Sequence, residues 1–251
     1  MDVERSPREI AGLMVLTFTS GMVDAVGFIA LGRVFCALAT GNVLFLGLAV
    51  AGEPQLAVSN TATALASFAT GLGLGHLLLS GMERRGRRWF RGAIGAEAVA
   101  LTAASALSWG LAAEESAQLS GRHYAVVALL ALAMGARAAT AQRVAVPGMS
   151  TILVTTALAL LFGRARTAGP GATPTVHRWR YLCAVLSIFA GAASGTLLLH
   201  VGVTAPLLVA AVLAVVVSLF GGPGTGPGPG RVPEGGPGAG AAPGPDRARG
   251  A

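Results

Sequence analysis

SGMVDAVGFIALGRVFCALATGNVLFLGLAVAG, residues 20–52, sets one carboxylate, Asp24, inside an apolar run. A Gly32-Arg33 interruption follows, and Thr40-Gly41-Asn42 opens a second apolar run. A carboxylate at the centre of a bilayer costs roughly 2.5–3.5 kcal/mol on insertion scales. Such a residue is kept because it pairs with another group or lines a polar path. The stretch therefore predicts a membrane protein with a polar centre, and names no solute.

The rest of the composition agrees. Of the 251 residues, 53% are hydrophobic and only 12% charged, against about 25% charged in soluble domains. The mean hydropathy is +0.68. A chain this apolar is expected to be all-α and polytopic. Its 18 basic residues are all arginine, and the net charge is +7. These arginines cluster in short connections between apolar runs, the pattern of cytoplasmic anchoring, so nucleic acid is excluded as a partner. Cys36 and Cys183 are isolated and give neither a disulfide framework nor a metal spacing. No cofactor motif is found, and no cleavable signal peptide is read at the N-terminus.

Eight apolar segments can be drawn: Ile10–Leu31, Val34–Ala51, Ala57–Leu79, Ala93–Ala113, Tyr124–Ala141, Met149–Phe162, Tyr181–Val201 and Ala205–Phe220. A spanning helix needs about 20 residues. The sixth segment is short, and the second is interrupted. With both treated as broken or re-entrant, six helices span. Every arginine outside the membrane except Arg33 and Arg122 then falls on the face that holds both termini. Eight full spans, the alternative, divide the arginines far more evenly between the two faces. The positive-inside bias favours six spans in the inner membrane with both termini cytoplasmic.

The same reading divides the chain. Residues 1–9 form a cytoplasmic N-terminus, 10–113 a first membrane repeat, 114–123 an external loop and 124–220 a second repeat. Residues 221–251 form a Gly/Pro-rich cytoplasmic tail, expected to be disordered because it offers no apolar core. The halves align at a spacing near 114: Gly21 to Asp24 with Gly135 to Arg137, and Thr40-Gly41-Asn42 with Thr155-Thr156. Three spans per half means that the second half enters from the opposite side. That is the 3+3 inverted-repeat plan of secondary transporters.

The motifs S-G-x-V-D-A-x-G-F, G-R-V-F and T-G-N-V resemble the YoaK-like membrane proteins, the DUF1275 family, strongly over residues 16–52 and more weakly over 131–161. The resemblance implies a multi-pass bacterial inner-membrane protein of unassigned function. This chain departs from the family pattern at Ala39, where Met is common before Thr-Gly-Asn. It departs again at Met134-Gly135-Ala136-Arg137, where a guanidinium stands in place of the family's amide.

Asp24 is the first binding candidate, either as a proton or cation site or in a fixed pair with Arg137. Thr40, Gly41 and Asn42 come next. Gly41 breaks the helix, and the following helix start offers free N–H groups to an anion, or Thr40 and Asn42 serve as its cap. Thr155 and Thr156 are their counterparts. Glu97 is expected to snorkel or to pair with Arg91 or Arg88, with a pathway role as the alternative. His76 is expected near the cytoplasmic interface. Asn60 and Thr61 read as a cap. Gly71, Gly73, Gly75, Gly191 and Gly195 give smooth helix faces for close packing, within the chain or in a homo-oligomer. The expected partners are the bilayer and a small solute or ion. A secondary transporter or permease is the leading functional reading. A non-transporting accessory or stress-related membrane protein is the alternative. An intramembrane serine hydrolase at Ser194 is the least favoured, because His200 is not spaced to serve as its base.

Overall fold

A computed structural model describes residues 7–84, 89–111, 119–144 and 174–220. Among these residues the regular elements are seven helices: α1 (Pro7–Ala30), α2 (Ala39–Val50), α3 (Val58–Arg84), α4 (Trp89–Leu107), α5 (Gly121–Val144), α6 (Pro174–Leu199) and α7 (Thr204–Phe220). The sixth apolar segment, Thr155 and Thr156 within it, and the C-terminal tail lie outside the described residues. Among the described helices, α1, α3, α5 and α6 are long and apolar enough to cross a membrane. At 1.5 Å per residue, α2 reaches only about 18 Å, against a hydrocarbon core of about 30 Å. The reading in which every segment spans is therefore corrected at the second one.

The interruption after α1 lies where the sequence puts it. Gly32 (φ 82°) and Arg33 (φ 58°) adopt left-handed backbone, which reverses the chain. Val34 N–H then donates to Gly27 O at 3.3 Å, so residues 34–38 run back along α1 before α2 starts. Arg33 Nη1 donates to Gln55 Oε1 at 2.5 Å, which joins the approach to α2 with its exit. Asn60, near the start of α3, donates through Nδ2 to Leu31 O (2.8 Å) and Gly32 O (2.9 Å). It is a clasp on the end of α1 and not a helix cap. Thr61 Oγ1 bonds back to Ala57 O within its own turn.

Helix directions follow from these ties. The end of α1 meets the start of α3, so the two run antiparallel. Ser59 and Tyr124 share a hydrogen bond at one end of α3 and α5, and Arg143 reaches Ser80 at the other, so this pair runs parallel. Thus α1 and α5 point in opposite directions. In α4 and α7, Arg91 binds Ser218 O at one end and Ser105 reaches Thr204 O at the other, an antiparallel pair.

The tightest packing is made by glycines, and it occurs twice. A Cβ on Gly21 of α1 would fall 2.3 Å from Ile188 O of α6, and one on Gly191 of α6 would fall 1.9 Å from Phe18 O. Between α5 and α3, a Cβ on Gly135 would fall 2.1 Å from Phe68 O, and one on Gly71 2.1 Å from Leu132 O. Gly195 presses on Met22, and Gly75 presses on Ala136. Positions on α1 recur on α5 at +114, and those on α3 recur on α6 at +120. In α4, Phe90, Ile94, Glu97, Ala98, Leu101 and Ala104 are buried; so are Val203, Leu207, Ala210, Ala211, Ala214 and Val217, each 113 positions on. Helix neighbours repeat as well. α3 packs on α5 as α1 packs on α6, α4 packs on α5 as α7 packs on α1, and α4 packs on α7. Gly71, Gly75, Gly191 and Gly195, considered above as an oligomer surface, are thus closed inside the chain. Nothing lies within 4 Å of a Cβ on Gly73.

Candidate functional site

Asp24 occupies the last two turns of α1, facing the returning segment. Its Oδ1 accepts Cys36 N–H at 2.7 Å and Ala37 N–H at 2.6 Å. Backbone off the helix in a membrane protein needs partners inside the protein, since the hydrocarbon supplies none. The carboxylate supplies them here. Asp24 and Arg137 do not meet as an ion pair, which corrects the expectation that the two charges pair.

Asn42 completes this assembly from α2. Its Oδ1 accepts Phe35 N–H at 2.9 Å and its Nδ2 donates to Phe35 O at 2.5 Å, so one amide closes both ends of one residue's backbone. Asn42 is buried. Gly41 lies inside the first turn of α2 and does not break it. A Cβ there would fall 2.6 Å from the Phe35 ring. That ring stacks at 5.5 Å on Phe28 and at 5.3 Å on Phe45. The cap expectation for Thr40 and Asn42 fails: Leu38 is the N-cap, with no side-chain bond, and Thr40 is exposed. The N–H groups of Gly41 and Asn42 are not free for an anion, because both bond Leu38 O.

The second polar assembly lies between α1, α4 and α5. Arg137 donates from Nε to Glu97 Oε2 at 2.9 Å and from Nη2 to Glu97 Oε1, a bidentate ion pair. Its Nη1 donates to Leu16 O at 2.5 Å and Ser20 Oγ at 2.8 Å. Arg137 is 8% exposed and Glu97 3%, so solvent screening does little to weaken the pair. Glu97 therefore does not pair with Arg91; Arg88 lies outside the described residues. Arg91 instead donates to Ser218 O and Leu219 O, both at 2.9 Å, where it satisfies the carbonyl end of α7. His76 lies toward the Arg143 end of α3, and its carbonyl accepts Ser80 Oγ (2.7 Å) and Arg143 Nη2 (3.4 Å).

Of the candidates, the structure brings Asp24 and Asn42 onto one backbone segment, places Gly41 beside it, and joins Arg137 to Glu97. It does not bring the two groups together. Sequence reasoning missed Ser20 and Asn60 as clasps. A polar residue one helical turn before Asp24, and an amide at the start of the helix after the interruption, were the available signals.

The family model described as "Protein of unknown function (DUF1275)" matches residues 12–220. The chain is 31% identical over 152 residues to the "UPF0700 transmembrane protein YoaK" of Bacillus subtilis (strain 168), covering 59% of this chain and 64% of that protein. The matched part is thus less than two thirds of that relative's length. No solved structure matches.

Proposed function

The chain is an integral membrane protein of the DUF1275 family, and from that premise we propose that it is a secondary transporter or permease of a small solute. Its six crossings form two inverted halves, with α2 a re-entrant element of the first half. The observation that carries the reading is the doubled glycine packing, with α1–α6 matching α5–α3 position for position. An inverted repeat with interrupted helices near the midplane is the frame on which alternating access is built in many carriers. Trp89 and Trp109 bracket α4, as interfacial aromatics bracket a span, which supports counting it among the crossings. The arginine distribution supports the inner membrane with both termini cytoplasmic. We read no enzymatic role. Any energy comes from an ion gradient or downhill flow, because no nucleotide-binding motif is present in the sequence.

One observation favours the accessory reading. Asp24 and Arg137 are both held by the protein's own groups, as in a purely structural centre. Cys36 separates the two readings. It is 1% exposed, and its N–H bonds Asp24. In a Cys183→Ser background, a water-soluble maleimide should label Cys36 slowly in intact membranes and quickly after denaturation. A carrier that alternates must hydrate this segment in one of its states. No labelling of Cys36 over hours, from either side, overturns the transport reading and leaves the accessory one.

A further inference from the structure

The Arg137 guanidinium is used in two separate ways. One edge, Nη1, is tied to α1 through Leu16 O and Ser20 Oγ. The other edge, Nε with Nη2, holds both oxygens of a carboxylate, Glu97. The first set of bonds does not depend on the second. If Glu97 lets go, Arg137 remains aimed by α1, and Gly135 keeps its stretch of α5 against α3. What is left is an oriented two-point carboxylate receptor in a low-dielectric site, the geometry in which Arg outperforms Lys.

The fold does not need this pair. The positions equivalent to Glu97 and Arg137 in the other half, at 113 and 114 positions' distance, are Ala210 and Val23, both fully buried. Apolar packing serves there. A buried ion pair is usually no more stable than an apolar pair of similar size, and an ionisable pair within a membrane bundle points to function.

We propose that the Nε–Nη2 edge of Arg137 is the binding site for the carboxylate of a small monocarboxylate solute, with Glu97 as the internal carboxylate that occupies it at rest. This rests on the transport reading above and names its substrate class. The exchange conserves charge. Glu97 takes one proton and leaves Arg137, and the solute's carboxylate takes the vacated edge, so the site stays neutral and one proton enters with each anion. The other groups facing the site leave Glu97 as the proton acceptor. Asp24 of α1 is committed to Cys36 and Ala37 N–H, Ser20 of α1 donates to Leu16 O, and α7 contains no charged residue. On α3, which packs on α5, the titratable His76 lies toward the Arg143 end.

The test is calorimetric titration of the full chain in lipid nanodiscs with sodium acetate, propionate and lactate, in two buffers of different ionisation enthalpy. The wild type should take up about one proton per anion bound, and its affinity should fall about tenfold per pH unit as pH rises, the slope of one linked proton. Glu97→Gln should bind the same anion at least tenfold more tightly at neutral pH with no proton uptake. Arg137→Gln should bind none. Failure of all three anions to bind folded Glu97→Gln overturns the proposal, as does binding by Arg137→Gln equal to wild type. Uptake into proteoliposomes separates this from the broader reading. Binding without uptake retains the site and removes transport. Uptake of a probe solute that is insensitive to Glu97→Gln retains transport and removes the site.

Discussion

Replacing Glu97 and Arg137 together should harm the fold far less than replacing either one. Arg137→Val alone leaves the Glu97 carboxylate 3% exposed with both guanidinium donors gone. Glu97→Ala alone leaves the guanidinium with only its α1 bonds. Removing one partner of a buried pair costs about 3–5 kcal/mol. The double variant Glu97→Ala with Arg137→Val copies the arrangement already present at Ala210 and Val23, and leaves no buried charge. Its remaining cost is the space vacated. A void on the order of 50 Å³ costs about 1 kcal/mol at roughly 24 cal/mol per Å³. The coupling between the two changes is therefore several kcal/mol, well above the few tenths seen for independent sites.

Reversible unfolding of the purified chain in mixed micelles, followed by circular dichroism, gives the four corners of this cycle. Each single variant should unfold much earlier than wild type, and the double variant close to it. Additive losses, with the double variant worst of all, refute both the equivalence of the two position pairs and the buried character of the ion pair. Silent single variants refute the pair itself. A stable double variant that binds no carboxylate is the result expected if stability and binding separate at this site.

Gly71→Ala and Gly191→Ala should each lose stability by similar amounts, more than 1 kcal/mol, because each places a Cβ on a carbonyl oxygen about 2 Å away. Gly73→Ala should instead gain about 0.5–1 kcal/mol, the propensity difference in a helix, since nothing lies within 4 Å there; the same unfolding assay compares the three. Asp24→Ala should cost about 3 kcal/mol through its two charge-assisted bonds to backbone N–H. Asp24→Asn, which keeps an acceptor oxygen, should cost about half of that, and equal losses would show that the charge and not the acceptor matters. Asn42→Leu should loosen residues 34–38 and raise the labelling rate of Cys36 several-fold, as measured by maleimide kinetics.

The helical membrane class and the interruption at Gly32-Arg33 are legible in the sequence because each depends on local chemistry. Apolar length sets a span, and glycine permits left-handed backbone. The polar partners are not local. Pairing Asp24 with Arg137 assumes that opposite charges at roughly related places in the two halves find each other. In the fold, Asp24 meets a backbone that has doubled back onto it, and two N–H groups satisfy its oxygen before any side chain arrives. Arg137 instead meets Glu97, from a helix that the sequence alone places near an arginine-rich loop. Thr40-Gly41-Asn42 misleads in a related way. The residue types of a cap are present, but the helix starts one residue ahead of Thr40, so Asn42 reaches back past the cap position to Phe35.

The packing also identifies which parts can move. Glycine contacts lock α1 to α6 and α3 to α5 with backbones touching, and close-packed interfaces of this kind shift as units. Between the two locked pairs, α1 and α5 barely touch. Direct polar links there include Asn60 to Leu31 and Gly32 at one end, and Arg137 to Leu16 and Ser20 deeper in. Within the Asp24 assembly, Asp24 itself holds only the segment that returns along α1, and that tie is carried along with α1; α2, which Asn42 ties to the same segment, packs on α3. The Arg137 assembly is different: it joins α5 to α1 and α4 at once. Relative motion of the locked pairs must therefore act on Arg137. A change in what occupies its outer edge is positioned to bias that motion.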